Sequence, residues 1–421
     1  MWSIQKIKEI TMKKALLLSV VASTMIMAGG DIAPVEPVVK TPAPVVSGWE
    51  FSGTGVVYYQ TKDEFGKKDL FKQESSAADA GIQLRATNSD VFAGIGAGVE
   101  VSGLTTLNLE NWMVSDVMQG TGKAGDIDDL TDGGWISQMY LTYGFGNTSI
   151  KAGRQELPKA LSPFAFSEDW NVFKNTFDSV LVVNSDLPDT TLVGAWVAGA
   201  NVNSFGVLFS ANNMTDFNSL NDDRGVFMLT AQNKSIENMT LTGTWYYANE
   251  FFGNDDLHIL WGDVQYDATD FNVGLQGGTM MSDAFADDMV AFGAKVGAEF
   301  NGVHAMLAYS NVNDGGAGMF QLGGTTSALY TDLLADQLLG SAVRYDSDKF
   351  VVKAHTDLLG GTLSGAYGYT DLSGVDVNEF DLSYSTTLAT GFDLNLAYAY
   401  VDVEGANDSL NVVRVIGTYN F

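Results

Sequence analysis

The chain has 421 residues, 46% of them hydrophobic and 17% charged, and its mean hydropathy of +0.04 is far below that of a helical membrane protein. Lys and Arg number 22 against 51 Asp and Glu, a formal charge of −29, the wrong sign for a nucleic-acid partner, whose phosphates need a basic footprint. With no Cys, disulfides, thiolate metal sites and thiol nucleophiles are excluded together.

The first segment reads as an address. Met12-Lys13-Lys14, the apolar run Ala15 to Met27 and the small residues Ala28-Gly29-Gly30 make the three regions of a secretory signal peptide. The apolar run is too short for a stable helical span. Cleavage is expected near Gly30, with Met12 as an alternative start. Removing 1–30 takes four lysines and one glutamate, so the mature charge is −32. Residues 31–48 hold Pro34, Pro37, Pro42 and Pro44, and are expected to form an extended periplasmic tether.

From Trp49 onward the dominant period is two. Phe392, Leu394, Leu396, Tyr398 and Tyr400 alternate with Asp393, Asn395, Ala397 and Ala399. Met239, Leu241, Trp245 and Tyr247 alternate with Thr240, Thr242, Thr244 and Tyr246. The spacers alternate too. Short ones are Asn88-Ser89-Asp90, Gly146-Asn147 and Asn301-Gly302; long ones are 61–78, 102–134, 157–176, 201–223 and 313–337. Short turns at one rim, long loops at the other, and Tyr and Trp near strand ends (Tyr58, Trp135, Tyr143, Trp245, Tyr419) predict a transmembrane barrel. No stretch after residue 30 makes an apolar helical span, and in lipid only helices and closed barrels pair every backbone group.

The fold class expected is therefore all-β, an antiparallel up-and-down barrel over 49–421 with about 18 strands, 16 or 20 being the alternatives. One strand is expected over 338–346. Lys349 to Leu358 is ambiguous, and a strand there paired with one in 201–223 would make about 20. The last strand, Asn411 to Phe421, puts Val413, Val415, Gly417, Tyr419 and Phe421 on one face and ends on Phe. That ending looks like the C-terminal signal that barrel-insertion machinery reads.

Several stretches resemble bacterial porins, in particular the OprD-like group and the major outer-membrane porins of Campylobacter-type bacteria. They are Tyr140 to Gln155 with the long loop through Pro158, Pro163, Asp169-Trp170 and Asn175-Thr176-Phe177, then Leu241 to Gly278, and the terminal strand. The resemblance covers most of 49–421 as a diffuse pattern. It implies a barrel in the bacterial outer membrane, often trimeric, in contact with outer-membrane lipid and lipopolysaccharide. It also implies that the loop 157–176 folds inward as a constriction.

A porin does no covalent chemistry; its function is lumen shape and charge. Alternation puts Arg85, Lys151, Lys295, Arg344 and Arg414 on the lumen face. The resemblance implies that such a basic row faces an acidic constriction, for which Glu156, Glu168, Asp169 and Asp178 are the acids, with Lys159 and Lys174 among them. Solvated charge on a wet wall is the bland reading of each. Strict alternation puts Arg154 on the lipid face, which requires a rim position, a bulge or a subunit interface. Asp126, Asp128, Asp129 and Asp132 offer oxygen ligands to Ca²⁺, as do Asp283, Asp287 and Asp288, but without EF-hand spacing. His258, His304 and His355 are too few and scattered for a metal cluster, with His304 on the lumen face. No G-x-S-x-G, zinc-protease or P-loop motif is present, and neither an enzyme nor a cofactor is expected. The reading is a passive, cation-preferring channel for ions and small hydrophilic solutes. A surface adhesin or structural barrel without an open pore is the alternative. A channel for hydrophobic solutes would need an apolar lumen, against the alternation.

Overall fold

The computed structural model describes residues 48–122, 131–201, 203, 214–315, 318–319, 321–334, 336–339 and 346–421. The signal peptide and all but the last residue of the Pro-rich tether lie outside them.

Strands β1 (Glu50–Lys62), β2 (Ser76–Phe92), β3 (Ile95–Thr105), β4 (Asp132–Phe145), β5 (Thr148–Gln155) and β6 (Phe177–Asn184) lead into β7 (Thr190–Ala200), β8 (Val226–Asn233) and β9 (Met239–Phe252). The second half holds β10 (Asp255–Asp267), β11 (Phe271–Met281), β12 (Met289–Phe300), β13 (Val303–Val312), β14 (Ser347–Leu358), β15 (Gly361–Leu372), β16 (Val375–Ala389), β17 (Phe392–Val403) and β18 (Leu410–Asn420). Each pairs antiparallel with its neighbours in sequence, and β1 also pairs with β18 from Thr54↔Asn420 to Lys62↔Val412. That last ladder closes an 18-strand barrel and leaves no free edge. A two-residue bridge, Asn218–Ser219, pairs with Gly199–Ala200 beside β7. Among the described residues no helix is long and apolar enough to cross a membrane; the barrel crosses by strands.

The seam needs a glycine. Gly53 and Phe421 exchange two backbone hydrogen bonds, of 2.8 and 3.0 Å. A Cβ on Gly53 would lie 2.3 Å from the Phe421 ring. Gly53→Val is therefore expected to expel the ring and loosen closure, read as a lower temperature for loss of heat-resistant mobility in SDS.

Alternation fixes the two faces. Leu84, Leu229, Leu275, Phe292, Phe350 and Phe380 point outward and are exposed, an apolar belt that a bilayer covers. The buried residues lie inside, where long loops fold back into the lumen. Two expected interface aromatics, Tyr58 and Trp135, face inward and are buried under those loops.

Turn chemistry agrees with the pattern at Gly146-Asn147 and Asn301-Gly302, the latter with φ of 53° and 76°, as a tight two-residue hairpin requires. It differs at Asn88-Ser89-Asp90, which is a register shift within the hairpin whose turn is Ala93-Gly94. Of the strand expected over 338–346, residues 340–345 lie outside the described residues. Asp336–Leu339 is a single helical turn, and β14 pairs with β13 and β15, not with 201–223. Two lysines on its inward face, Lys349 and Lys353, blur the polar–apolar contrast that marks the other strands.

Candidate functional site

The loop 156–176 crosses the lumen. On one side the Tyr58 hydroxyl of β1 donates to the Trp170 carbonyl (3.1 Å). On the other the Phe164 amide donates to the Tyr246 hydroxyl of β9 (3.1 Å), and the Phe164 ring stands edge-on to Trp261 of β10 at 5.2 Å. In a closed ring of eighteen strands, β1 and β9–β10 are opposite each other. The loop is thus a beam anchored at both walls.

Neighbouring loops hold the beam. Gln119 bonds Phe173 through both its amide atoms (2.7 and 2.8 Å), and its backbone amide donates to Asp79 of β2. From the other side, the Leu322 amide donates to the Phe164 carbonyl (2.8 Å). Glu168 is the central latch. One carboxylate oxygen accepts from Gln321 (2.6 Å), the amides of Thr325 (2.9 Å) and Thr326 (2.6 Å), and the Thr326 hydroxyl (2.5 Å). The other accepts from Trp170 (2.8 Å) and Asn203 (3.2 Å). Burial pushes the carboxyl up, while the donors from Thr326, Trp170 and Thr325 pull it down. Gly324 makes room, since a Cβ there would sit 2.1 Å from the Glu168 carboxyl carbon.

Beside the beam, consecutive strands β2 to β5 present a charged cluster. Arg85 grips Glu100 of β3 (2.5 and 2.8 Å) and reaches Glu156 at 3.5 Å. Lys174 approaches the other Glu156 oxygen at 3.6 Å, and Gln138 donates to Glu156 at 3.1 Å. Lys151 lies over the Tyr140 ring, 3.8 Å from its centroid. Glu156 above all, against burial and with help from Asp169, holds the Lys174 ammonium above its ordinary range, so it stays a cation at neutral pH. Asp169 is exposed on the beam. Although they face inward, the Arg85, Glu156 and Lys174 side chains are 42, 34 and 43% exposed, so water reaches them.

Elsewhere around the lumen the charges are mostly buried. Lys295 lies over the Tyr330 ring at 4.5 Å, and the Tyr330 hydroxyl donates to Asp263. Lys159 reaches Asp332 at 3.6 Å. Lys349 pairs with Asp336, and Lys353 donates to the Asp332 carbonyl (2.6 Å). Arg414 is fully buried between Gln60 (2.7 Å) and Gln337 (2.6 Å).

The structure therefore gathers Arg85, Lys151, Glu156, Asp169 and Lys174 at one gap, buries Lys295 and Arg414 under the loops, and leaves Lys159 half-buried on the loop beside Asp332. Glu168 is a latch inside the beam. Asp178 does not join the constriction: Phe177 and Ser179 take the inward face of β6, and Asp178 points outward to a two-pronged pair with Arg154 (2.9 and 3.1 Å). Arg154, the penultimate residue of β5, sits at the long-loop rim with its guanidinium over Phe217. Arg344, Asp126, Asp128 and Asp129 lie outside the described residues; Asp132 is exposed at the start of β4. Sequence reasoning missed Glu100, Lys349, Lys353, Asp332 and Asp336. Inward alternation would have found the first three.

Fold and site together define a transmembrane β-barrel with a loop-built constriction in its lumen. No family model matches the chain, and no curated protein matches it by sequence. Solved structures match its fold over nearly their whole length. Pseudomonas aeruginosa OccK8 (OprE) is 16% identical with a TM-score of 0.69, covering 90% of this chain and 99% of that one. P. aeruginosa OccK1 (OpdK) is 15% identical with a TM-score of 0.69, covering 90% and 100%. Acinetobacter baumannii OccAB2 is 15% identical with a TM-score of 0.68, covering 89% and 98%.

Proposed function

We propose that this chain is an outer-membrane porin, a water-filled channel for passive diffusion of ions and small hydrophilic solutes that prefers cations. The observation that carries this reading is the wet charged gap. Side chains of both signs face the lumen, remain open to water, and sit where a braced loop narrows the barrel. Charge left hydrated inside a lipid-covered barrel is what a permeating ion or polar solute needs. A plugged structural barrel has no use for it. The likeness of fold to OpdK, described as an outer membrane protein and also solved with vanillate, supports the location and the passage of small molecules. The cation preference follows from the net charge of −32 expected of the exported chain, (22 − 4) − (51 − 1), felt by ions before they reach the gap.

The test is single-channel conductance in a planar bilayer with the reversal potential under a KCl gradient. Stable open steps with a cation-selective potential are expected. Folded protein that never conducts would leave the adhesin or structural barrel, and an anion-selective potential would overturn the cation preference. The exported form is expected to begin at Asp31, which intact mass of protein extracted from membranes checks. Deleting Phe421 is expected to cut assembled barrel severalfold through loss of the insertion signal, and the mass in detergent is expected to be that of a trimer.

A further inference from the structure

At the long-loop rim, two loops carry large apolar side chains on the outside of the barrel: the loop 63–75 after β1 and the segment 106–122 after β3. Phe71 is 64% exposed, Leu107 60%, Trp112 68% and Met113 45%. Alternation places Thr61 with outward Val57 on β1, and Thr105 with outward Val101 on β3. The Thr61 hydroxyl accepts from the Phe71 amide (2.9 Å), and the Thr105 hydroxyl from the Leu107 amide (3.0 Å). Both backbones are thereby held on the outer side of the wall. Phe71 and Leu107 have φ of 63° and 55°, a left-handed conformation uncommon for large side chains. The loops are also tied to each other, since the Gln73 side-chain amide donates to the carbonyls of Glu110 (2.8 Å) and Val114 (3.3 Å). The Trp112 indole N–H donates to the Asn108 carbonyl (3.0 Å), so the bare part of that side chain is its apolar ring.

We infer that this patch anchors the two loops in the outer leaflet, with Phe71, Leu107, Trp112 and Met113 seated among acyl chains just below the headgroups. Large apolar side chains gathered on a surface mark something that covers them. Position names the cover here. Down the same wall the outward residues are Val57 of β1, Ile82 of β2 and Val101 of β3, all exposed and part of the belt that the bilayer covers. The patch continues that belt past the last ladder pairs, Lys62↔Val412 and Ala80↔Thr105. Aromatic and aliphatic side chains with their polar atoms satisfied suit the boundary between headgroups and acyl chains. A second copy is the other possible cover, but four side chains on two loops are few beside the roughly 20–30 residues a side of a stable protein interface. Beyond the patch the chain turns inward. Val114, Val117 and Met118 are fully buried, and Gln119 holds Phe173 of the beam. One loop thus runs from the membrane to the constriction, and lipid contact gives the beam's support a fixed point outside the lumen.

The experiment is fluorescence quenching of the full-length barrel in phosphatidylcholine vesicles. The chain has no Cys, so Leu107→Cys and Trp112→Cys each take a single environment-sensitive fluorophore. Leu275→Cys on the lipid-facing belt and Asp287→Cys on an exposed loop are the controls. Quenching by phosphatidylcholine spin-labelled high on its acyl chain is expected at 107 and 112 near the level at 275 and at least about threefold above that at 287, with protection from iodide. Iodide quenching as strong as at 287 would place the patch in water and overturn the anchor. Protection from both quenchers would mean that another copy covers the patch, and would overturn lipid as its occupant. Heat-resistant mobility in SDS reports that each labelled barrel is folded. The labels read depth and not conduction, so the outcome stands apart from the porin reading.

Discussion

Replacing Glu168 with alanine is expected to release the beam, raising single-channel conductance and current noise while leaving the barrel folded. Six donors converge on its two oxygens, from Gln321, Thr325, Thr326, Trp170 and Asn203. Each buried donor left without an acceptor costs about 1–3 kcal/mol, although water entering the gap recovers part of this. A net loss of about 3–5 kcal/mol at the latch is the scale for removing one side of a buried charged network. The strands keep their own ladders, so the loss is local. It is read as hydrogen exchange at the Thr325 and Thr326 amides, which should quicken by roughly a hundredfold or more, since each 1.4 kcal/mol is a factor of ten. Gly324→Ala attacks the same contact from the other side, because its Cβ would overlap the Glu168 carboxyl. The two substitutions should not add. Alanine at 324 is expected to be harmful alone and nearly silent once Glu168 is gone, a coupling that an independent surface effect would not produce. Exchange and conductance unchanged in Glu168→Ala would mean that the loops are held elsewhere.

The barrel was largely legible in the sequence because a closed sheet in lipid imposes period two on nearly every strand. Phe392 to Tyr400 shows it plainly, with an apolar outward row and a small polar inward row. The pattern failed where the inward face is not simply polar. In β14, Lys349 and Lys353 point inward beside Val351, and a lysine next to outward Phe350 and Val352 looks like a broken pattern. It also failed where loops carry the interior. Glu168 reads as one more loop acid; that six donors surround it depends on contacts with residues some 150 positions away. Asp178 was misplaced because the family resemblance and not the alternation put it in the constriction; it shares the face of outward Val180 and Val182, with inward Phe177 and Ser179 on the other. His304 and His355 looked scattered, 51 positions apart, yet the register makes them direct neighbours.

Charge at the gap should set selectivity in a predictable direction. The inward cluster holds Arg85, Lys151 and Lys174 against Glu100, Glu156 and Asp169, so it is balanced as it stands. Arg85 is a poor place to test it, because its loss strands the buried Glu100 carboxylate. Glu156 and Lys174 are better, being opposite charges 3.6 Å apart and comparably exposed. A unit charge about 6 Å from an ion's path is worth roughly 0.7 kcal/mol in water, and 0.1 M salt takes away about half. Each neutralisation should therefore shift cations and anions by about 0.35 kcal/mol in opposite directions, and change their permeability ratio by about threefold. Glu156→Gln is expected to lower the ratio and Lys174→Gln to raise it, both read as the reversal potential in a KCl gradient. The double variant should return near the starting value, because the pair contributes no net charge. Opposite shifts would place the ion path at this gap. Shifts in the same direction, or none in either variant, would put the path elsewhere in the lumen and leave the cluster as solvated charge on a wet wall.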